Sequence, residues 1–368
     1  MAQHSSSSFM ARNVWRRLIR NRGAAIGLVV IGLAIATALG AYEVAPDNSP
    51  DANRMILEIG GRKPGFTQQF LLVKKEGNPA VAERSWINRL LFGQPDQYLR
   101  IPIQGYQLAA DSLIVWKYVD EGVTERMALA RGPANAQDPG YRLGTQTFYL
   151  GTDKYGRDIL SRLLVGVRVS LGVGLVTVAI SLSLGVLLGG LAGYYRGTVD
   201  EIVMWLINVI WSIPTLLLVF ALTLLLGKGF WQVFVAIGLT MWVNVARIVR
   251  GQILGVRELD YVEAARALGY GHGRILFRHI LPNVLGPVLV VAASNFASAI
   301  VIEAGLSFLG IGVQPPQPSW GLMIKENYNF IITHNPMLAL APGLAIMALV
   351  LAFNLVGNGL RDALDVKP

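Results

Sequence analysis

The chain contains no cysteine, which excludes disulfides, thiolate metal sites and thiol nucleophiles. Charge is also scarce. Only 15% of the 368 residues are Asp, Glu, Lys or Arg, against 53% hydrophobic, and the mean hydropathy is +0.47. That balance is too apolar for an ordinary soluble domain of this size and points to a membrane protein. The histidines, His4, His272, His279 and His334, form no HExxH string and no intramembrane pair, so no metal site is expected. Gly227-Lys228-Gly229 lacks the glycine spacing and the following Ser or Thr of a phosphate-binding loop. No carboxylate or serine constellation stands out either, and catalysis by this chain alone is not expected.

What the chain does have is long uncharged runs. A bilayer core requires roughly 20 apolar residues in a helix, whose backbone hydrogen bonds are satisfied internally. Six stretches fit: Gly23 to Tyr42, Val169 to Tyr195, Ile202 to Gly227, Gly229 to Ala246, Ile280 to Ile302 and Met337 to Gly359. The net charge of +9 sits beside these runs rather than among interleaved aromatics, so it suits lipid headgroups better than nucleic acid. Arg12, Arg16, Arg17, Arg20 and Arg22 precede the first run and are expected to hold it with the N-terminus inside; a cleavable signal peptide is the rival reading. Six crossings from that start put Arg196, Arg247, Arg250, Arg257, Arg266, Arg274, Arg278, Arg361 and Lys367 on the inner side. The short outer connections then carry Lys228, Glu303, Lys325 and Glu326.

The expected segments are a basic N-terminus (1–22), a first span (23–42), an outer insertion (43–150), a lead-in helix (151–168), a five-helix core (169–359) with an inner loop (247–282), and an inner C-terminus (360–368). In the insertion Lys and Arg are matched one for one by Asp and Glu. Runs such as Phe70 to Val73 and Leu113 to Tyr118 suggest a small β-containing domain; an irregular loop is the alternative. Residues Gly151 to Arg168 have a helical apolar period (Ile159, Leu160, Leu163, Leu164, Val167), fitting either a helix on the outer membrane surface or a plain lead-in.

Inside the spans, Gly185, Gly189 and Gly193 recur every four residues and favour close helix packing. Pro214 and Pro342 favour kinks. Asn208, Asn244, Asn295 and Asn354 lie in apolar runs and are candidates to line a pathway, or to bond between helices. No charged residue is expected within a span, which argues against a proton-coupled or ion-coupled carrier.

The inner loop contains ELDYVEAARALGYGHGRILFRHILPN. Asp260 with Glu263 has the spacing of a capping box, and Gly269 suits a left-handed terminator. A short helix from Tyr261 is therefore predicted, with Ala264 and Ala265 as a close-contact face, then a second short helix from Arg274 to Leu281 halted by Pro282. Such a stiff projecting helix reads as a docking element.

The string resembles the EAA loop of ATP-binding-cassette importer permeases: Glu-Ala-Ala, three residues, Gly, nine residues, Ile-x-Leu-Pro. Glu263-Ala264-Ala265, Gly269, Leu281 and Pro282 match in register, and His279 stands where the isoleucine is expected. GTDKYGRDILSRLLVGVRVSLGVG, AGYYRG, EAGLSFLGIGVQPPQPSWG, LAFNLVGNGLRDALD and the N-terminal WRRLIRNRGAAIGL resemble the second permease of the dipeptide, oligopeptide and nickel importers. The likeness covers residues 10–45 and 148–368 and leaves out the insertion.

The resemblance implies an all-α polytopic membrane protein of the type I importer permease fold, with six transmembrane helices and a small extracytoplasmic insertion, in a bacterial-type inner membrane. It implies a second homologous permease, two cytoplasmic ATPase subunits and an extracytoplasmic substrate-binding protein as partners, and peptides or a related solute such as nickel complexes as cargo. No cofactor is expected on this chain; ATP and Mg belong to the ATPase subunits. Asp260, Tyr261, Glu263, Ala264, Ala265, Leu268, Gly269, Leu281 and Pro282 would couple to an ATPase. Two other readings are a membrane-embedded enzyme and a sensory protein using the insertion as a receptor.

Overall fold

A computed structural model describes residues 13–75, 84–109, 112–130, 141–227, 229–332 and 335–365. His4, Arg12, Lys228, His334 and Lys367 lie outside these. The helices are α1 (residues 13–20), α2 (Arg22–Val44), α3 (Trp86–Phe92), α4 (Ile159–Tyr195), α5 (Gly197–Trp211), α6 (Thr215–Leu226), α7 (Phe230–Val256), α8 (Asp260–Ala267), α9 (His272–Leu309), α10 (Trp320–Asn327) and α11 (Met337–Leu364). Among the described residues α2, α4, α7, α9 and α11 are long and apolar enough to cross a membrane, and α5 with α6 passes the same test only as a pair, bent as a broken span or a re-entrant loop is, which makes five crossings or six. Most of the chain is thus helical, as the sequence predicts.

The helix boundaries depart from expectation in four places. The lead-in and the second span are one 37-residue helix, α4, with nothing between Ile159 and Tyr195 to break it. Residues 151–158 before it are a turn, so no separate surface helix exists. The third span is not merely kinked: α5 and α6 meet at 93° across Ser212 to Pro214. Proline removes a donor, and Pro214 itself leaves the helical region with ψ 124°, so the bend falls there. The fourth span runs on to Val256, ten residues beyond Ala246.

The fourth departure is in α9, where Pro282 halts nothing. The six residues Ile275–Ile280 form a π-helical turn in which the Leu281 N–H reaches the Leu276 carbonyl. Pro282 follows at the second position of the next α-helical stretch, where it costs little, and the helix continues to Leu309. Gly310, in a left-handed conformation, ends it.

The chain divides into two compact units. One comprises Met1–Ile35, Ser170–Gln314 and Ala345–Pro368; the other comprises Ala36–Val169 and Pro315–Leu344. In the first, glycine lets helices touch. A Cβ on Gly27 would lie 2.6 Å from the Ala352 carbonyl oxygen, and one on Gly359 would lie 2.4 Å from the Ala24 Cβ, so α2 packs closely along α11.

The second unit contains a five-stranded antiparallel sheet in the order β4-β3-β2-β1-β5, built from β1 (Phe66–Lys74), β2 (Tyr98–Leu108), β3 (Ser112–Asp120), β4 (Val123–Ala130) and β5 (Tyr141–Phe148). The described residues of the insertion therefore contain a β-sheet, and both predicted runs lie in strands. Alternation along β1 sends Phe70 to one face, with Ile56, Ile59 and Phe148, and Leu71 to the other, with Ile103, Leu113 and Val115. Burying both faces explains why these strands read as continuous apolar runs.

The turn 151–158 joins the sheet to α4. Asp153 accepts from the Tyr155 and Arg157 backbone N–H groups and, at 2.5 Å, from Arg157 Nε. Arg157 is buried yet satisfied, its Nη2 donating to Glu326 Oε2 at 2.7 Å. A Cβ at Gly156, whose φ is +72°, would fall 1.7 Å from the Ile56 carbonyl oxygen, so only glycine fits. Asp158 caps α4, accepting from the Ser161 N–H at 2.9 Å.

Candidate coupling element and polar cavity

Helix α8 is eight residues long and presents two faces. Val262 and Ala265, three apart, are buried in a cluster with Tyr194, Val249, Ile253, Ile275, Leu276, Ile280 and Val284. Tyr261, Glu263, Ala264, Leu268 and Gly269 are exposed. Ala264 and Ala265 therefore do not form one contact face: Ala265 seats the helix on its own protein, and Ala264 looks outward.

The start of α8 also differs from expectation. Leu259 is the N-cap and Asp260 the first helical residue, so no side-chain cap forms. Asp260 and Glu263 instead place negative charge on the first turn, at the positive end of the helix dipole. The C-terminus follows the prediction. Gly269 has φ +77°, its N–H reaches the Arg266 carbonyl at 2.9 Å, and the Tyr270 N–H reaches the Ala265 carbonyl at 3.2 Å, which is a Schellman closure.

The loop that carries α8 is short and tied down. Because α7 extends to Val256, Arg247 and Arg250 are helical. Arg247 stacks on the Trp211 ring at 3.5 Å, and Arg250 pairs with Asp200, Nη2 to Oδ2 at 2.6 Å. Arg257 donates to the Tyr194 carbonyl at 2.7 Å, and the Tyr194 hydroxyl bonds His272 Nδ1 at 2.9 Å. Asn283 Nδ2 donates to the Tyr261 hydroxyl at 2.8 Å. His279, the departure from the loop pattern, stacks on Tyr270 with ring centroids 5.7 Å apart. Leu281 is half-buried, and Pro282 is exposed. The buried side chains of α8 thus pack against residues of α4, α7 and α9.

Two of the four asparagines border the same cavity. Asn244 of α7 and Asn295 of α9 line a cavity of about 200 Å³ with Trp211, Thr215, Thr240 and Ser298 among its other walls. Asn295 is buried and donates to Ser181 Oγ at 3.5 Å. Asn208 and Asn354 are exposed and do not line it. Sequence reasoning passed over Thr240 and Ser298. Each lies three or four residues from one of the asparagines in the same helix, and that spacing of small polar residues in an apolar run was the available signal. The residues that line it include no ionisable side chain.

The glycine stripe faces α7. A Cβ on Gly185 would lie 2.4 Å from the Val245 Cβ, on Gly189 2.3 Å from the Ala246 carbonyl oxygen, and on Gly193 2.9 Å from that of Arg250.

One expectation fails outright, since Glu303 is buried inside α9, not in an outer connection. Ser307 donates to its Oε1 at 2.6 Å, and the same hydroxyl oxygen accepts from the Val313 N–H at 3.0 Å. Glu303 is six residues from Leu309, the last residue of α9, and Gly310, which ends that helix, was the signal that the span reaches past it.

Residues 185–367 match the model of a family described as binding-protein-dependent transport system inner membrane component, and residues 8–57 match the N-terminal TM domain of oligopeptide transport permease C. A glutathione transport system permease protein of Pectobacterium atrosepticum is 44% identical over 219 residues, 60% of this chain and 72% of that one. The oligopeptide transport system permease protein of Bacillus subtilis is 41% identical over the same shares. The chain belongs to this permease family. It is a multi-pass inner-membrane permease subunit of a binding-protein-dependent, ATP-binding-cassette transport system. A di/tripeptide transport system permease protein of Pseudomonas aeruginosa is 43% identical over 61% of this chain and 74% of its own. An inward-facing structure of the MetNI methionine transporter is similar over 56% of this chain and 97% of its own, with TM-score 0.48 and 19% identity. Both family models leave out residues 58–184, where the sheet lies.

Proposed function

We propose that this permease forms half of a translocation pathway for peptides and is driven by cytoplasmic ATPase subunits through α8. Its partners are a second homologous permease, two ATPase subunits that bind ATP and Mg, and an extracytoplasmic binding protein. The chain itself binds no cofactor and catalyses nothing. Both termini are cytoplasmic, and the insertion faces the other side. The observation that carries the reading is α8: a short helix anchored by Val262 and Ala265, with Tyr261, Glu263, Ala264 and Leu268 turned outward beside the Gly269 closure. The peptide cargo rests on what the relatives are named for. Asn244 and Asn295 are the groups we assign to the pathway; their amides can donate to and accept from a peptide backbone.

The test is a pull-down of the tagged chain from solubilised membranes, wild type beside Glu263→Lys, with partners identified and ATPase activity assayed. Wild type brings down a second permease and ATPases, and Glu263→Lys loses the ATPases while keeping the permease. Wild type purifying alone, under conditions that preserve other complexes, would sink the proposal.

A further inference from the structure

Helix α3 (WINRLLF) has seven residues, too few to hold together unaided. Five of the seven are apolar, and Trp86, Ile87, Leu91 and Phe92 are 66%, 56%, 49% and 58% exposed. A cluster of that kind on a water-facing surface is an aggregation liability. Yet the protein fixes the helix firmly. Arg168 donates to the Leu90 and Leu91 carbonyls at 2.6 and 2.7 Å, and Arg84 donates to those of Phe92 and Gly93 at 3.0 Å each. The two guanidinium groups thereby satisfy the carbonyls that a helix leaves open at its C-terminus.

The same arginine ties α3 to a membrane-crossing helix. Arg168 Nε donates to the Ala38 carbonyl of α2 at 2.5 Å, its Nη2 reaches that of Leu39 at 3.4 Å, and its guanidinium lies 4.7 Å from the Tyr42 ring centre. Arg89 adds a two-pronged pair to Glu43 of α2 at 2.8 and 3.0 Å. The short helix therefore lies against the last two turns of α2, where Leu39 and Val44 are themselves exposed. At 100° per residue Trp86, Leu90, Ile87 and Leu91 share an arc of about 140°, with Asn88, Arg89 and the terminal Phe92 outside it.

We propose that α3 is an interfacial anchor, its Trp86, Ile87 and Leu91 side chains inserted into the headgroup–acyl boundary of the bilayer around the end of α2. Lipid is the occupant because the exposed apolar surface of α3 continues that of α2 through one shared guanidinium. The composition fits too: a tryptophan and arginines at the level where a span ends, which is where amphipathic rings and snorkelling cations settle. The inference rests on the reading that α2 crosses the membrane.

The absence of native cysteine makes the test clean. Single cysteines are placed at Ile87, Leu91, Leu33 in mid-α2 and Thr124 on strand β4, spin-labelled in the full chain reconstituted in lipid, and probed for collision with oxygen and with a water-soluble nickel chelate. The oxygen-to-nickel accessibility ratio at Ile87→Cys and Leu91→Cys is expected to exceed that at Thr124→Cys and to move toward that at Leu33→Cys. Nickel-accessible labels at both α3 sites, with Leu33→Cys still lipid-exposed, would overturn the anchor alone. Labels shielded from both reagents would also overturn it, pointing to a protein partner. Nickel access at Leu33→Cys would overturn the underlying span.

Discussion

Gly189 and Gly190 stand side by side in α4 yet meet different surroundings. A Cβ at Gly189 would press on the Ala246 carbonyl oxygen at 2.3 Å, whereas one at Gly190 would meet Ile253 Cδ1 at an ordinary 3.9 Å. Gly189→Ala is expected to cost about 1–3 kcal/mol through overpacking, and Gly190→Ala almost nothing, as read by thermal unfolding in detergent. Equal midpoints would mean that α4 and α7 can separate freely. Asp158 offers a second contrast. Removing its cap with Asp158→Ala should cost about 1 kcal/mol. Burial holds its carboxyl above the ordinary carboxylate range, with the Ser161 hydrogen bonds opposing and nearby Asp47 adding to the rise. The native state then binds the proton more tightly than the unfolded chain. This contribution to stability is fully present below the unfolded value and is lost as pH rises through the raised native one. Asp158→Asn keeps an acceptor for the Ser161 N–H and does not titrate. Unfolding followed across that acidic window should therefore show the variant free of the loss that wild type suffers, and superimposable pH profiles would refute the assignment.

At the scale of elements, the end of α8 was legible and its beginning was not. Gly269 was readable because a left-handed closure after a short helix has few sequence solutions. The cap was misplaced because Asp260 serves equally well at the N-cap or in the first turn, and burial of Val262 and Ala265 chose the register. The same tertiary choice split the Ala264-Ala265 pair. The four asparagines looked alike in sequence, and only helix rotation brought Asn244 and Asn295 to one cavity. Strands β1 and β3 announced themselves by β-branched and aromatic runs, but their pairing order depends on long-range contacts that carry no local mark. A rank order follows for α8: Gly269→Asn should retain more substrate-stimulated ATPase activity in the reconstituted transporter than Gly269→Val. Asparagine tolerates φ near +77°, whereas a β-branched residue pays about 1–2 kcal/mol or more. Indistinguishable variants would remove the closure from the coupling argument.

For the whole molecule, the proposed orientation predicts that Leu268→Cys and Thr124→Cys react with a membrane-impermeant maleimide from opposite sides of sealed vesicles. Labelling from one side would require a different number of crossings. The break between α5 and α6 carries a consequence for how the pathway responds to its surroundings. Trp211 closes α5, Thr215 opens α6, and both line the cavity that Asn244 and Asn295 share. The amides of Asn244 and Asn295 and the hydroxyls of Thr215, Thr240 and Ser298 thus supply polarity at a place where the lining residues hold nothing that can gain or lose a proton. Such polarity is the same in acid and in base. Should this cavity line the proposed pathway, the side chains on its walls would not retune with acidity, and a transport rate that varies with pH would trace to groups outside them, among which Glu303, next to the lining Ile302, is buried in the same helix.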